Sequence, residues 1–410
     1  MRVPRVAYFP DSFHEVNGVA HTSRNFVAYA ERHGLPFLCV RAGGRAGAFE
    51  QAGELRTLEL GRSRTSVRME KDLEFDTLFW RHGGAIRREL ERFRPDVIHI
   101  TGPSELGMFG AYFAWEMAIP LAASWHTNVH EYASRRMGWL TGRLSARAGA
   151  ATEHGVEAGA LWATSRFYQL AKVLFAPNEE LCRMLERTTG RPCYLMQRGV
   201  DTEWFSPVHR TREVGDRMVV LGYVGRLSIE KNVKLLARVQ RELAAMGVGG
   251  VRFLIVGHGS DEAELRRELA EAEFAGVLRG AALAQAYANM DVLVFPSHTD
   301  TFGNVVLEAL ASGVPAVVTP DGGPKFIVRN GETGFVTEDD DFAAAVAELV
   351  RDRARLDGMR LKARKYALGC SWDAVFDRVY AGYETALAVS GAGLKAGELT
   401  QPALKDDGSD

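Results

Sequence analysis

VLVFPSHTDTFGNVVLEALASGVPAVV, residues 292–318, decides the fold. It opens on the apolar run Val292–Phe295, stopped by Pro296, and closes on Ala316–Val318. Between them Gly303 starts a helical pattern in which Val306, Leu307 and Leu310 recur at three- and four-residue spacing. A strand, a helix and a second strand in so short a span make a βαβ unit, which implies a parallel sheet covered on both faces.

The same alternation extends outward. Met218–Val224 and Val251–Val256 precede it, each followed by a helical stretch. In the first half, strands are expected near Val3–Phe9, Pro36–Val40, Val97–Ile100, Leu121–Ser124 and Lys172–Phe175. An amphipathic helix is expected over Phe75–Arg92. A polar, turn-rich passage at Val200–Gly215, carrying Pro207, reads as a linker between the two series. The fold class is therefore α/β: two Rossmann-like, doubly wound parallel-sheet domains facing a cleft, spanning 1–200 and 201–370. Ser371–Val389 carries Trp372, Phe376, Tyr380 and Tyr383 at helical spacing with no strand after it. A helix over 371–390 crossing back to the first domain is expected, then a disordered tail over 391–410.

The 410 residues set 50 Lys and Arg against 52 Asp and Glu, a formal charge of −2, so the whole molecule makes no electrostatic case for nucleic acid. With 46% hydrophobic and 25% charged residues, the composition is that of a globular protein and excludes disordered and collagen-like classes. Cys39, Cys182, Cys193 and Cys370 form no CxxC pair, which argues against a disulfide scaffold or zinc ribbon and fits a reducing compartment. MRVPRVAYFPDSF lacks the apolar run of a signal peptide. The most membrane-like stretch, Leu106–Trp125, contains Glu116 and Pro120 and reads as a buried helix followed by a buried strand.

In open α/β sheets ligands sit at the carboxyl ends of strands, where loops feed helix N-termini. The first such loop holds Asn17-Gly18, a tight-turn dipeptide that either simply turns the chain or lets its backbone approach a ligand. After Met218–Val224 comes GRLSIEKN (225–232), where Arg226 and Lys231 flank a loop feeding a helix. Two cations beside free N–H groups suit a pyrophosphate; solvated surface charge is the alternative. Val256–Ser260 is a second glycine-flanked turn, in which Gly257 and His258 could receive a nucleotide base. Beyond Asp300, the backbone N–H groups of Gly303, Asn304 and Val305 would point at an anion. Glu308, among apolar neighbours, must face solvent or find a partner such as a ribose diol.

Together these segments resemble the retaining nucleotide-sugar glycosyltransferases of GT-B fold, the mannosyl-, sulfoquinovosyl- and glucosyltransferases of the family 4 type. Asp300-to-Glu308 looks like their E-x7-E motif, with aspartate where they carry glutamate. GRLSIEKN resembles their phosphate-binding Arg/Lys pair, and FPDSFHEVNGVAHT (9–22) their first glycine loop; the resemblance runs to about Trp372. It implies that Arg226 and Lys231 bind the donor diphosphate, Glu308 the ribose and Asp300 the sugar hydroxyls, while the Gly18 loop closes on the phosphate and acceptor side. His126, after a buried strand, is either structural or, by the resemblance, the family's histidine beside the transferred sugar. The implied mechanism retains configuration: the acceptor hydroxyl enters from the face the diphosphate leaves, and a departing phosphate oxygen takes its proton. Positioning and stabilisation of the leaving group's charge do the work. No metal and no cofactor beyond the nucleotide-sugar co-substrate is expected. Asp339-Asp340-Asp341 contains a DxD spelling, but it precedes a helix over Phe342–Val350, where acids favour the helix dipole.

Glu131–Gly149 interleaves Arg135, Arg136, Arg143 and Arg147 with Tyr132, Met137, Trp139 and Leu140. It reads either as an interfacial membrane helix beside the acceptor, with Asn17 and Asn128 nearby, or as a helix packed on its own domain with solvated arginines. The expected activity moves a hexose from GDP-mannose or a UDP-hexose to a hydroxyl of a lipid or lipid-linked acceptor. The expected place is the cytoplasm, either free or peripheral on the inner face of the cytoplasmic membrane. Its partners would be the nucleotide sugar, that acceptor and an anionic membrane surface, with no nucleic acid. The rivals are the same chemistry on a soluble inositol derivative or saccharide, a nucleotide-sugar epimerase, and a two-domain binding protein.

Overall fold

The computed structural model describes residues 2–15, 18–44, 48–63, 67–70, 73–76, 78–125, 162, 164–213, 215–269, 271–300 and 302–392. The chain divides into two compact units, Met1–Met196 with Phe376–Asp410, and Gln197–Val375. The second unit thus starts before the expected residue 201 and runs past the expected 370.

In the first unit the strands are β1 (Val6–Phe9), β2 (Phe37–Gly43), β3 (Ala48–Ala52) and β4 (Leu55–Gly61), then β5 (Val67–Glu70) and β6 (Leu73–Phe75), and finally β7 (Val97–Ile100), β8 (Leu121–Ser124), β9 (Val173–Ala176) and β10 (Cys193–Leu195). β5 and β6 form a separate antiparallel ribbon; the others order as β10-β9-β8-β7-β1-β2-β4-β3, parallel but for β3. Every residue of β1, β7, β8 and β9 is buried, as strands covered on both faces must be. The covering helices include α1 (Gly18–Arg32), α2 (Gly83–Phe93), α3 (Glu105–Glu116) and α4 (Glu179–Thr189). Side chains cap two of them: the Ser104 hydroxyl accepts from Gly107 N at the start of α3, and Asn178 Oδ1 accepts from Leu181 N at the start of α4.

In the second unit β11 (Val219–Val224), β12 (Val251–Val256), β13 (Glu273–Gly276), β14 (Val292–Phe295), β15 (Ala316–Val318) and β16 (Gly334–Val336) order as β13-β12-β11-β14-β15-β16, all parallel. They alternate with α5 (Lys234–Ala245), α6 (Glu262–Glu268), α7 (Gly280–Asn289) and α8 (Asn304–Ala311), and end in α9 (Phe342–Arg351) and α10 (Arg353–Leu368). The passage read as a linker is strapped onto this unit. Arg210 reaches the buried Asp291 at 2.8 Å, and Arg212 and Arg360 join the same carboxylate.

The last helix, α11 (Trp372–Ala392), packs its first-unit residues into the first core. Phe376 stacks on Phe26 at 4.4 Å, the Tyr29 hydroxyl donates to Asp377 at 2.5 Å, and Tyr383 hydrogen-bonds the buried His99. It runs two residues past the expected 390, into the segment read as a disordered tail; 393–410 lie outside the described residues.

Three local expectations are corrected. The helix expected over Phe75–Arg92 does not start until Gly83, because Phe75 ends β6 and a 3-10 turn covers Phe79–His82. Asp76 anchors that turn: burial alone would raise its carboxyl, but bonds from Ser63, Arg81 and the Leu78 amide hold it well below the usual range. α3 is not buried all round, since Tyr112 and Trp115 stand exposed. The aspartate run does not cap α9 through its side chains. Asp341 at the N-cap makes no cap bond, Asp339 accepts from Asn232 at 3.0 Å, and Asp340 pairs with Arg238 at 2.9 Å.

Candidate active site

The order of the second sheet has a switch point between β11 and β14, on either side of which the chain winds in opposite directions. Loops leaving such neighbours at their carboxyl ends diverge and leave a crevice. The loop after β11 carries Gly225–Asn232 and the loop after β14 carries Pro296–Gly303. Glycines let the first of these lie flat on its neighbour. A Cβ on Gly257 would meet the Gly225 carbonyl oxygen at 1.8 Å, and Gly257 sits at φ +138°, where side chains are strained. Gly257 N–H donates to the Gly276 carbonyl at 2.8 Å, so this glycine serves loop packing. His258 beside it is exposed and bonds Glu262 at 2.5 Å.

Lys231 Nζ reaches Asp300 Oδ2 across the crevice at 2.8 Å. The other carboxylate oxygen accepts from Gly303 N–H at 3.1 Å, so that amide is not free. Asn304 and Val305, the first residues of α8, donate no backbone bond to any described residue, and Gly303 at φ +91° offers no side-chain cap. The Asp300 backbone is held too: its carbonyl accepts from Gly323 N–H at 2.7 Å, and a Cβ on Gly322 would strike that oxygen at 2.5 Å. Arg226 points outward, paired with Glu230 at 3.0 Å and 69% exposed in its side chain. Its backbone is fixed by the Tyr223 hydroxyl, which donates to the Arg226 carbonyl at 2.9 Å. His298 bridges Asp321 and Asp339 at 2.9 and 3.1 Å, tying together the loops after β14, β15 and β16.

Glu308 lies one turn inside α8. Its partner is the fully buried Tyr287 of α7, whose hydroxyl donates to Oε2 at 2.7 Å. Burial pushes the Glu308 carboxyl above its ordinary value, and the Tyr287 bond pulls the other way. Arg198 approaches from the segment before β11. Its guanidinium lies 5.1 Å from the Phe302 ring centre, and its one described hydrogen bond, to Asn304 Oδ1, is 3.5 Å long.

The first unit has its own switch point, between β1 and β7. Here Asp11 donates its N–H to the Thr101 hydroxyl at 2.7 Å and accepts at Oδ1 from the Ser104 hydroxyl. Gly102 admits the carboxylate, since a Cβ there would meet Oδ2 at 2.1 Å. Burial pushes Asp11 up to about 7. Gly18 begins α1, and its carbonyl accepts from Thr22 at 3.0 Å. Asn17, His126, Asn128, Arg135, Arg136, Trp139 and Arg143 lie outside the described residues. The described residues contain no group of three or more His, Cys, Asp or Glu able to hold a metal, and no helix long and apolar enough to cross a membrane.

A family model described as Glycosyltransferase Family 4 matches residues 16–204, and one described as Glycosyl transferases group 1 matches 219–352. A GDP-mannose-dependent alpha-mannosyltransferase of Mycobacterium tuberculosis is 36% identical over 307 residues, 72% of this chain and 75% of that one. The chain belongs to the family 4 glycosyltransferases. A second relative, the sulfoquinovosyl transferase SQD2 of Arabidopsis thaliana, is 30% identical over 71% of this chain and 57% of its own. The fold is that of a solved sucrose-phosphate synthase from Thermosynechococcus elongatus, with TM-score 0.62 at 20% identity, covering 95% of this chain and all of that one. This glycosyltransferase is thus a hexosyltransferase enzyme of GT-B fold. Sequence reasoning passed over Tyr287, Arg198 and Asp11 in it. Tyr287 carries a faint signal, since a phenol in so apolar a helix needs a partner for its hydroxyl. For Arg198 no local pattern points to the site, because its neighbours there are about a hundred residues away in sequence.

Proposed function

We propose that the enzyme transfers a hexose from a nucleoside-diphosphate sugar with retention of configuration, without a metal, to a lipid or lipid-linked hydroxyl. Mannose from a GDP donor is the first choice of sugar, because the mycobacterial relative carries that name at the highest identity quoted above. The observation that carries the reading is the Lys231–Asp300 pair at 2.8 Å beside the uncapped first turn of α8. Lys231 and the amides of Asn304 and Val305 would take the diphosphate, an anion placed where a helix dipole favours it. Asp300 would hold sugar hydroxyls, Glu308 the ribose, and Arg226 would turn inward from Glu230 when a more highly charged partner arrives. His126 would assist at the anomeric centre. In the transfer the bond from C1 to the distal phosphate breaks, a bond from C1 to the acceptor oxygen forms on the same face, and the acceptor's proton passes to the departing phosphate oxygen.

Thermal shift against GDP, UDP and ADP in EDTA tests the donor, since a ligand that binds only the native state raises the melting temperature. A clear rise with one nucleotide supports the reading, and no rise with any of them refutes it. Anomeric NMR of the product from GDP-mannose tests retention. Flotation with anionic vesicles at low and high salt separates a membrane-borne acceptor from a soluble one.

A further inference from the structure

The anion site described so far leaves one cation unexplained. Arg198 makes no ion pair within 4 Å among the described residues. Burial works against its charge, and the nearby Asp300 carboxylate offsets this only in part. A guanidinium has five N–H donors, and among the described residues this one makes a single bond, of 3.5 Å. Enclosing a charge with its donors unsatisfied costs free energy that an anion can return.

The placement of Arg198 is built rather than accidental. The next residue, Gly199, lies against Trp372 so closely that a Cβ would meet the indole at 2.5 Å. Val200 N–H then donates to the Cys370 carbonyl at 3.0 Å, in a parallel bridge of Val200 with Ser371. The segment is therefore pinned on both sides of its backbone, and the side chain is aimed along the Phe302 ring toward Asn304. An aromatic face holds a guanidinium in one plane while leaving its edge free for a bidentate contact.

We infer that Arg198 is a third cation of the donor site, gripping the distal phosphate of the nucleotide sugar on the side of Asp300. This rests on the donor reading above. If Asp300 meets the sugar, the phosphate beside it is the one bonded to C1, and that is where charge grows as the C1–O bond breaks. Lys231 is already committed to Asp300 and Arg226 to Glu230, whereas Arg198 needs no rearrangement. A preorganised donor facing a developing charge acts mainly on kcat.

The test compares wild type with Arg198→Ala and Arg198→Lys by calorimetry, in EDTA, using GDP and GMP, or UDP and UMP if wild type binds those. Arg198→Ala should weaken the diphosphate about tenfold or more, by loss of a charge-assisted bond, and leave the monophosphate within twofold. Its kcat should fall about 10²-fold with a smaller change in donor KM. Arg198→Lys should recover part of the diphosphate affinity, as a point charge without the fork. Equal weakening of mono- and diphosphate would overturn the assignment to the distal phosphate, and unchanged diphosphate affinity would overturn Arg198 altogether while leaving the donor reading standing. A wild type that binds neither nucleotide would refute that reading and this one with it. An unchanged melting temperature in both variants shows that any loss is not unfolding.

Discussion

Each unit places a carboxylate at the switch point of its sheet, on opposite sides of that point, and treats it in opposite ways. Asp11 follows β1 and meets the loop after β7; Asp300 follows β14 and meets the loop after β11. Around Asp11 the partners are hydroxyls, those of Thr101 and Ser104, and burial raises the carboxyl toward neutrality. Around Asp300 the partner is a lysine, with Arg198 close by and an uncapped helix start beyond. A doubly wound sheet provides a crevice, and the side chains at its rim decide what the crevice can hold. The first rim suits neutral hydroxyls; the second sets cations and an uncapped helix start beside its carboxylate and suits a diphosphate.

The largest expected break in this contrast is Lys231→Ala. It removes the cation that spans the second crevice and leaves Asp300 without its ion pair beside an incoming anion. Turnover should fall about 10²- to 10³-fold, the range for losing one preorganised electrostatic donor, with the fold intact by circular dichroism. A loss under fivefold would mean the second rim does not owe its preference to Lys231. Next in size is Glu308→Gln. The isosteric amide abolishes a charge held in a buried place, so donor affinity should drop about tenfold while the melting temperature at pH 7 rises. The sign follows from linkage: burial raises the folded carboxyl above its unfolded value, so the folded state binds the proton more tightly and loses stability as pH climbs through that interval. The glutamine variant lacks that loss.

How much of this was legible in the sequence depended on distance along the chain. Val97–Ile100, Leu121–Ser124, Val251–Val256, Val292–Phe295 and Ala316–Val318 all form strands at the residues where short, mostly apolar runs predict them. β3 was not foreseen, and every one of its residues is exposed, so the edge strand has no burial pattern to betray it. β13 and β16 are short and half-buried and fail for the same reason. Asp300, Gly303 and Glu308 sit within one loop and helix, and a local spacing rule finds them. Lys231 is brought to Asp300 by sheet order, which alternating strands and helices already suggest. Tyr287 and Arg198 reach the site through packing between elements. Single-sequence patterns carry no such information.

Tyr287→Phe sharpens the contrast at smaller cost. It keeps the ring against Phe205 and deletes only the hydroxyl that fixes Glu308. A half-buried carboxylate losing its donor costs about 1–3 kcal/mol, shared between stability and placement of the side chain. Donor KM should rise a few-fold with kcat nearly kept, and the acid limb of the KM profile should shift toward higher pH as Glu308 protonates more readily. A purely structural role would lower the melting temperature and leave that limb in place.

The smallest effect belongs to Asp11→Asn, and it addresses the other rim. With a folded value of about 7 against an unfolded carboxyl near 3.9, the folded protein holds a proton that the unfolded chain has released between those limits. Unfolding free energy should therefore decline as pH rises from about 4 to 7 and level off above. Asparagine keeps an acceptor for the Ser104 hydroxyl and has no proton to lose, so the variant should show a flatter melting curve against pH and a higher melting temperature than wild type at pH 8. Nucleoside diphosphate affinity should stay within twofold, because no cation of the second rim is touched. If instead the diphosphate weakens in step with Lys231→Ala, the two rims are not specialised, and charge at the first crevice matters to the anion as much as charge at the second.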